Sequence, residues 1–373
     1  MQKSYTSLGL MSGTSGDGVD ASLIQSNGMS YYESIQDKYY EYDESIYKKI
    51  HLLKEKINSK NDIKKNSADL SELEREITIF HAKIIKDINV KNLNYLIGFH
   101  GQTIFHNPEE YISYQLGDAQ LLSQLTRKKI VHDFRTNDIL NGGEGAPLTP
   151  IFHQLIVDQK KIEPPICILN IGGISNITII NTKSGGENFF SKDIGPGNCL
   201  IDKWVRKNSN KKFDFNGNLA ESGKTNEIII EQAQELYINR KNKNKRSFDV
   251  NDFDVSFARG LSLEDGVKTL TDFTANVISG ELIQNIKKVN NSIKNIFVCG
   301  GGRKNKILID KIQKNLSSSL KIKNIDDLKI NGDFIESQAF AYLAIRSLLR
   351  LPISFPNTTG CKTPSTGGKI IDI

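Results

Sequence analysis

The sequence predicts an α/β fold, and three observations predict it. Short apolar runs bounded by Gly, Ser and Asn alternate with longer stretches whose apolar residues recur every three or four positions, the signature of strands alternating with helices. Two of the apolar runs come as pairs around a glycine-bearing turn: SLGLMSGTSGDGVDASLI near the N-terminus and ICILNIGGISNITII at Ile166–Ile180. They point to a duplicated architecture in which each half opens with a phosphate-facing hairpin; a pair of unrelated hairpins is the alternative. The 373 residues exceed one small domain and suit two. The break is expected near residues 135–145, giving one domain over 1–140 to which the last helix returns at about 345–373, and a second over 141–344.

Taken in order, the first pair reads as strand, Gly/Ser/Thr turn and strand. Residues Ser45 to Asn89 are helix-periodic, with Leu70, Leu73, Ile77, Phe80, Ile84 and Ile88 on one core-facing stripe. NYLIGFHGQT reads as a strand and is followed by KKIVHDFRTNDI. In GGEGAPLTPIFHQLI a glycine loop runs into a helix, with Thr149 placed to cap it and Pro150 to take its first turn. After the second hairpin, SKDIGPGN ends a short strand at Asp193. It then turns through Gly195-Pro196-Gly197 and offers Asn198 as the cap of helix CLIDKWVRK. IKNIFVCGGGRKNKILIDKIQKNL is strand, triple glycine and amphipathic helix, and FIESQAFAYLAIRSLL is a long helix.

Composition narrows the function classes. With 38% hydrophobic and 25% charged residues the chain is globular. No run approaches the roughly 18 apolar residues of a membrane span. The apolar stretch in MQKSYTSLGLMSG is too short for a signal-peptide core, so a cytoplasmic location is expected. Cys167, Cys199, Cys299 and Cys361 form no CxxC pair and read as buried reduced thiols, and the six histidines lack metal-ligand spacing, which argues against a catalytic zinc. The net charge of +6 is mild. Its densest cluster, KNKNKR at Lys241 to Arg246, has no interleaved aromatics and reads as a solvated loop, not a nucleic-acid surface.

The chemistry-bearing motifs follow. Gly13-Thr14-Ser15-Gly16-Asp17-Gly18-Val19-Asp20 joins glycines that admit close backbone approach to hydroxyls that can donate to phosphate. Asp17 and Asp20 supply the hard oxygens that magnesium prefers. A tight turn with aspartate as turn former would use the same residues. GNLAESGKT fails as a Walker loop because five residues, not four, separate Gly217 from the Gly-Lys-Thr, so Lys224 is expected at the surface. Asp193, over a glycine loop, suits a general base, although a turn aspartate would sit there too. Gly300, Gly301 and Gly302 follow an apolar strand and open a helix, a place for a nucleotide. His100 to Thr103, Arg135, Asp138, Glu144 and Glu336 are polar groups beside glycines or at element ends; each could face a cleft or simply cap an element.

Together these segments resemble the anhydro-N-acetylmuramic acid kinases. The resemblance rests on LMSGTSGDGVDASL, FHGQTIFH, YQLGDAQLLSQLT, DFRTNDILNGGEGAPLTPIFH, LNIGGISNIT, DIGPGNCLIDKW, VCGGGRKN, ESQAFAYLA and FPNTTGCK, in family order along nearly the whole chain. It implies a fold of two RNase H-like, actin-like ATPase domains flanking a nucleotide cleft. It implies ATP with Mg2+ as cofactors, an anhydro amino sugar and water as partners, and a homodimer, with neither nucleic acid nor membrane involved. The activity implied is hydrolytic opening of 1,6-anhydro-N-acetylmuramic acid with phosphorylation of O6 during cell-wall recycling. Carried onto this sequence, residues 13 to 20 become the ATP phosphate loop and Asp193 the catalytic base. Arg135 and Glu336 become sugar contacts, and Gly300 to Gly302 part of the adenosine-side wall.

Four departures accompany the resemblance. Gly16 stands where the family more often has a larger apolar residue, a change expected to loosen the loop. Glu144 replaces a Gln, Ile194 replaces a Thr after the base, and NKRSFDVNDFD replaces a proline-lysine-serine-threonine-glycine stretch. The rival readings are a kinase of the same superfamily acting on another sugar or a carboxylate, and a nonenzymatic sugar sensor.

Overall fold

The computed structural model describes residues 3–88, 94–182, 188–239, 246–289 and 292–372. The chain divides into two compact units, Met1–Ile162 with Asp333–Ile373, and Glu163–Gly332.

The first unit begins with β1 (Tyr5–Ser12), β2 (Gly18–Ser26) and β3 (Tyr32–Glu41), followed by helices α1 (Glu44–Lys56), α2 (Lys60–Lys65) and α3 (Ser67–Asp87). Then come β4 (Leu96–Asn107), β5 (Ile112–Leu116), α4 (Ala119–Thr126), β6 (Ile130–His132), α5 (Thr136–Leu140) and α6 (Pro150–Gln159). In the second unit β7 (Ile166–Ile171), β8 (Ile174–Ile180) and β9 (Phe189–Pro196) precede α7 (Cys199–Asn208), α8 (Asn218–Ser222), α9 (Glu227–Ile238) and α10 (Leu263–Val289). β10 (Asn295–Cys299), α11 (Lys306–Asn315) and β11 (Lys321–Asn324) complete it; α12 (Ile335–Leu348) and β12 (Lys369–Ile371) return to the first.

The two sheets repeat one plan. In the first the order is β12-β6-β4-β1-β2-β3, with β5 paired to β4; in the second it is β11-β10-β7-β8-β9. Each has a three-strand antiparallel meander whose first strand is extended on its other side by two parallel strands. This is the strand order of an RNase H-like fold, present twice, so the duplicated hairpins mark a duplicated α/β architecture.

The strands alternate as their sequences require. Leu8, Leu10, Val19, Ala21 and Leu23 face α1 and α3 through Ile46, Ile50, Leu70, Leu73 and Ile77. The helix-periodic stretch is thus three helices, interrupted around Ile57–Ser59 and at Asn66, and its last residue, Asn89, lies outside the described residues. On the opposite face of the sheet lies α12. A Cβ at Gly9 would come within 1.9 Å of the Ser337 carbonyl oxygen, and one at Gly98 within 2.4 Å of that of Phe340, so glycines in these strands let the helix backbone lie against them.

That contact moves the division between the units. Residues 333–344, placed in the second domain on sequence, lead into and form the first turns of α12, which is seated on β1 and β4. Residues 141–162 also belong to the first unit, since Phe152 of α6 packs on Tyr32 and Tyr342 at ring-centroid distances of 4.8 and 5.6 Å. Pro150 occupies the first turn of α6 as expected, but Thr149 and Asn198 make no side-chain capping bond. Both already have helical backbone angles, which turn the side-chain oxygen away from the amides it would have to reach.

Candidate functional site

In the first unit the turn between β1 and β2 is built with its carbonyls inward. Gly13 C=O accepts from Gly16 N–H at 3.1 Å and from Gln102 Nε2 at 2.9 Å. Thr14 C=O accepts from Lys54 Nζ at 2.7 Å, and Asp17 C=O from Tyr42 N–H at 2.9 Å. Among the described residues, no protein acceptor takes the N–H of Thr14 or Ser15. The turn therefore presents backbone donors outward, as an anion-binding loop requires.

The glycines of this turn divide by role. Gly16 has φ +64°, and a Cβ there would lie 2.8 Å from the Ile50 side chain; one at Gly18 would lie 2.4 Å from the Tyr40 carbonyl oxygen. A Cβ at Gly13 would meet nothing nearer than Ser15 Oγ at 3.6 Å. Gly16 and Gly18 thus serve the packing of the loop, whereas Gly13 lines open space.

Ser15 Oγ donates to Asp17 Oδ1 at 2.6 Å. Burial, then Asp17, Glu41 and Asp20, push the Tyr39 hydroxyl far above its ordinary pKa, which places both loop carboxylates near one phenol. Among the described residues no three His, Cys, Asp or Glu side chains are grouped to hold a metal. Magnesium bound through nucleotide phosphates and water needs only one or two carboxylates, so Asp17 and Asp20 remain adequate for it.

A second group forms beside β4 and β6. Arg135 donates from Nη1 to Gly145 C=O at 2.7 Å and from Nη2 to His100 Nε2 at 2.8 Å. Because Nε2 accepts, His100 carries its proton on Nδ1, which faces Gly101 C=O at 2.8 Å. Burial and the adjacent guanidinium hold its pKa well below the ordinary value, so the imidazole stays neutral. Its ring packs on Phe340 at 4.5 Å, and Glu336 lies one turn earlier on α12. Asp138 is buried at the centre of the neighbouring loop, accepting from Gly145 N–H at 2.7 Å and Thr359 Oγ1 at 2.6 Å. It braces the segment that carries Glu144, whose N–H donates to Thr359 C=O at 2.8 Å.

In the second unit Asp193 is 6% exposed and lies within β9, which continues through Pro196 instead of ending at the aspartate. Its Oδ2 accepts from Phe248 N–H at 2.8 Å, and its own N–H donates to Arg246 C=O at 2.7 Å. The segment that departs from the family pattern is thus what holds the carboxylate. Sequence reasoning passed over Arg246 and Phe248 because backbone groups carry no residue signature. Lys241 to Lys245, the bulk of the basic cluster, lie outside the described residues. The pairing of β8 with β9 shifts register beside Ile194, a bulge of the kind that re-aims a neighbouring side chain. Ile194 itself is buried in the core of this unit, so the departure from Thr falls in packing.

The turn Gly172-Gly173 holds the Gly-Pro-Gly bend. Gly173 C=O accepts from Gly197 and Cys199 N–H at 2.9 and 3.1 Å, and Gly172 C=O from Asn198 N–H at 2.8 Å. Gly300 to Gly302 form a loop and a 3-10 turn, not the first turn of a helix; α11 starts at Lys306, capped by Asn305 through Leu308 N–H at 3.1 Å. A Cβ would collide with Asn170 at Gly300 and with Ile171 at Gly302, but would meet nothing within 4 Å at Gly301. The rejected Walker-like segment is a tether. Lys224 is exposed, and Thr225 Oγ1 donates to the buried Asp272 at 2.5 Å. Cys167, Cys299 and Cys361 are buried free thiols; Cys199 is half-buried, and burial pushes its thiol up to about 12.

The first unit thus holds a turn with outward amides and an arginine–histidine pair, and the second, taken by itself, holds a buried carboxylate beside a glycine bend. The sequence profile described as "Anhydro-N-acetylmuramic acid kinase" matches residues 5–372. A relative of that description from Pelagibacter ubique (strain HTCC1062) is 56% identical, covering 100% of this chain and 99% of its own length. Another, from Agrobacterium fabrum (strain C58 / ATCC 33970), is 34% identical over 98% of each. Among solved structures, the activator of the 2-hydroxyisocaproyl-CoA dehydratase from Clostridium difficile with bound ADPNP aligns at TM-score 0.40 and 11% identity, over 91% of this chain and 94% of that one. The strand order, not that likeness, carries the fold. On the full-length profile and the 56% identical relative, the chain belongs to the anhydro-N-acetylmuramic acid kinase family.

Proposed function

We propose that the protein uses ATP and water to convert 1,6-anhydro-N-acetylmuramic acid into N-acetylmuramic acid 6-phosphate. The observation that carries this reading is the buried Asp193 carboxylate, held by Phe248 N–H beside a glycine bend, where a base can be oriented without filling the substrate's place. Asp193 takes a proton from water as the water oxygen bonds to the anomeric carbon. The bond from that carbon to O6 breaks, and O6 forms a bond to the γ-phosphorus as the bond to the ADP oxygen breaks. Thr14 and Ser15 N–H groups hold phosphate oxygens, and Gly301 offers open wall to the adenosine. Arg135, locked by His100 and Gly145, contacts the sugar together with Glu336.

Phosphoryl transfer depends on positioning and charge neutralisation more than on covalent chemistry, which suits such preorganised donors. Magnesium would supply charge neutralisation at the phosphates, with Asp17 and Asp20 the carboxylates placed to receive it. On the same reading the protein works in the cytoplasm as a homodimer, which sedimentation of the purified protein would show or refute. Among the described residues no helix is long and apolar enough to cross a membrane. The deciding experiment incubates the protein with ATP, magnesium and the anhydro sugar in oxygen-18 water. Product carrying label at the anomeric hydroxyl and phosphate on O6 supports the proposal, and unlabelled or unphosphorylated sugar refutes it.

A further inference from the structure

We propose that Lys54 is a positioning residue of the phosphate loop, an inference that rests on the reading of that loop as the ATP site. Helix α1 buries Ile46, Ile50 and Leu53, and Lys54 follows Ile50 by four residues, on the apolar side where a lysine is costly. It is only 9% exposed, and its ammonium donates to Thr14 C=O at 2.7 Å. The bond fixes the peptide between Thr14 and Ser15 with its carbonyl inward, which aims the Ser15 N–H of the same peptide outward. A second contact brings α1 to the loop independently: Ile50 lies against Gly16, close enough that a Cβ there would stand 2.8 Å from it. The helix therefore clamps the turn from behind at two places, and the lysine sets the direction of a donor that faces phosphate. A charged donor on a neutral carbonyl is among the stronger hydrogen bonds.

The test measures binding of ATP, ADP and adenosine to Lys54→Met and Lys54→Arg, together with KM for the sugar and the unfolding temperature. We expect Lys54→Met to weaken ATP roughly tenfold and ADP less, with adenosine and the sugar KM unchanged. Lys54→Arg, which keeps a cationic donor, should recover most of the loss. ATP affinity of Lys54→Met within twofold of the parent overturns the proposal, as does an equal loss for adenosine and the sugar, the pattern of a general fold anchor. Should Lys54→Met not fold, Lys54→Arg carries the test alone: it must bind ATP within about threefold of the parent, and a tenfold loss overturns the proposal. A parallel Gly13→Val variant separates the two levels. If Gly13→Val weakens ATP and Lys54→Met does not, the loop stands and the lysine falls; if Gly13→Val leaves ATP untouched, the loop assignment has failed.

Discussion

Replacing Asp193 with Asn removes the proposed base while leaving most of the local structure in place. The carboxylate accepts Phe248 N–H through one oxygen at 2.8 Å, and the amide oxygen of Asn can accept the same bond. That bond changes from charge-assisted to neutral, which costs about 1 kcal/mol, or roughly 2–4 °C in unfolding temperature for a domain of this size. The bond from the residue's own N–H to Arg246 C=O is a backbone contact and is unchanged. Catalysis should suffer far more, because the amide cannot take the proton of the attacking water. A general base is worth roughly 10²–10⁴ in rate, or about 2.7–5.4 kcal/mol of barrier. The assay is ADP release at saturating ATP and anhydro sugar, with ATP affinity and the thermal transition measured on the same sample. The expected result is turnover lower by that factor at nearly parental ATP affinity and stability. Turnover within threefold of the parent would remove Asp193 from the mechanism.

The remaining predictions concern the two glycine sites and one buried histidine, His81. Gly13→Val should fold, since its Cβ enters open space, yet weaken ATP at least tenfold by filling phosphate space; Gly18→Val should instead fail to fold against Tyr40, and thermal melts beside nucleotide titrations read both. Gly301→Val should fold and weaken ATP with little change in sugar KM, while normal ATP binding would take this loop out of the adenosine wall. Burial lowers the His81 pKa from 6.5 to about 4, so between those values the unfolded chain binds a proton that the folded one does not. Stability contributed by neutral His81 is therefore present above pH 6.5 and lost as pH falls towards 4, by up to about 3 kcal/mol. His81→Leu should flatten that part of the acid-unfolding curve, and an unchanged slope from pH 6.5 to 4 would refute it.

Much of this was legible in the sequence because the chemistry required rare local combinations. Glycines next to hydroxyl and carboxylate residues after an apolar run identify the β1–β2 turn, and an aspartate before Gly-Pro-Gly identifies the β9 bend. What escaped reading was tertiary. Lys54 is one lysine in a lysine-rich helix, and its only signal is that it follows Ile50 by four on the apolar side. The hold of Phe248 on Asp193 is a backbone hydrogen bond and leaves no trace in residue type. Thr149 and Asn198 are cap residues by chemistry, but capping depends on extended backbone angles that neither adopts. The return of the chain to the first unit from Asp333, ahead of α12, was foreshadowed only by Gly9 and Gly98, glycines in strand interiors where a helix backbone comes close.

The duplicated topology explains why these segments gather where they do within each unit. β1, β4 and β6 run parallel, so the β1–β2 turn, Gln102 of β4, which pairs with Ser12 at the end of β1, and Arg135 beyond β6 all lie towards the end of the sheet where β1 and β6 finish. In the second unit β7 and β10 are parallel, and β9, antiparallel to an antiparallel neighbour, points the same way. Gly172-Gly173, Gly300 to Gly302 and the Gly195-Pro196-Gly197 bend therefore share one end of that sheet. Ligands of open α/β sheets bind at that end. The two hairpin turns have nevertheless diverged. The first, five residues long from Gly13 to Asp17, keeps the carbonyls of Gly13, Thr14 and Asp17 occupied and its Thr14 and Ser15 amides outward. The second is only Gly172-Gly173, and its carbonyls accept the amides of Gly197, Asn198 and Cys199. A turn used in this way fastens the bend beyond Asp193, and its Gly172 N–H is itself committed to Ile174 C=O at 3.2 Å. One copy of the hairpin thus turns two amides outward, whereas the other holds the chain that carries Asp193, a division that the repeated fold permits and the turn lengths set.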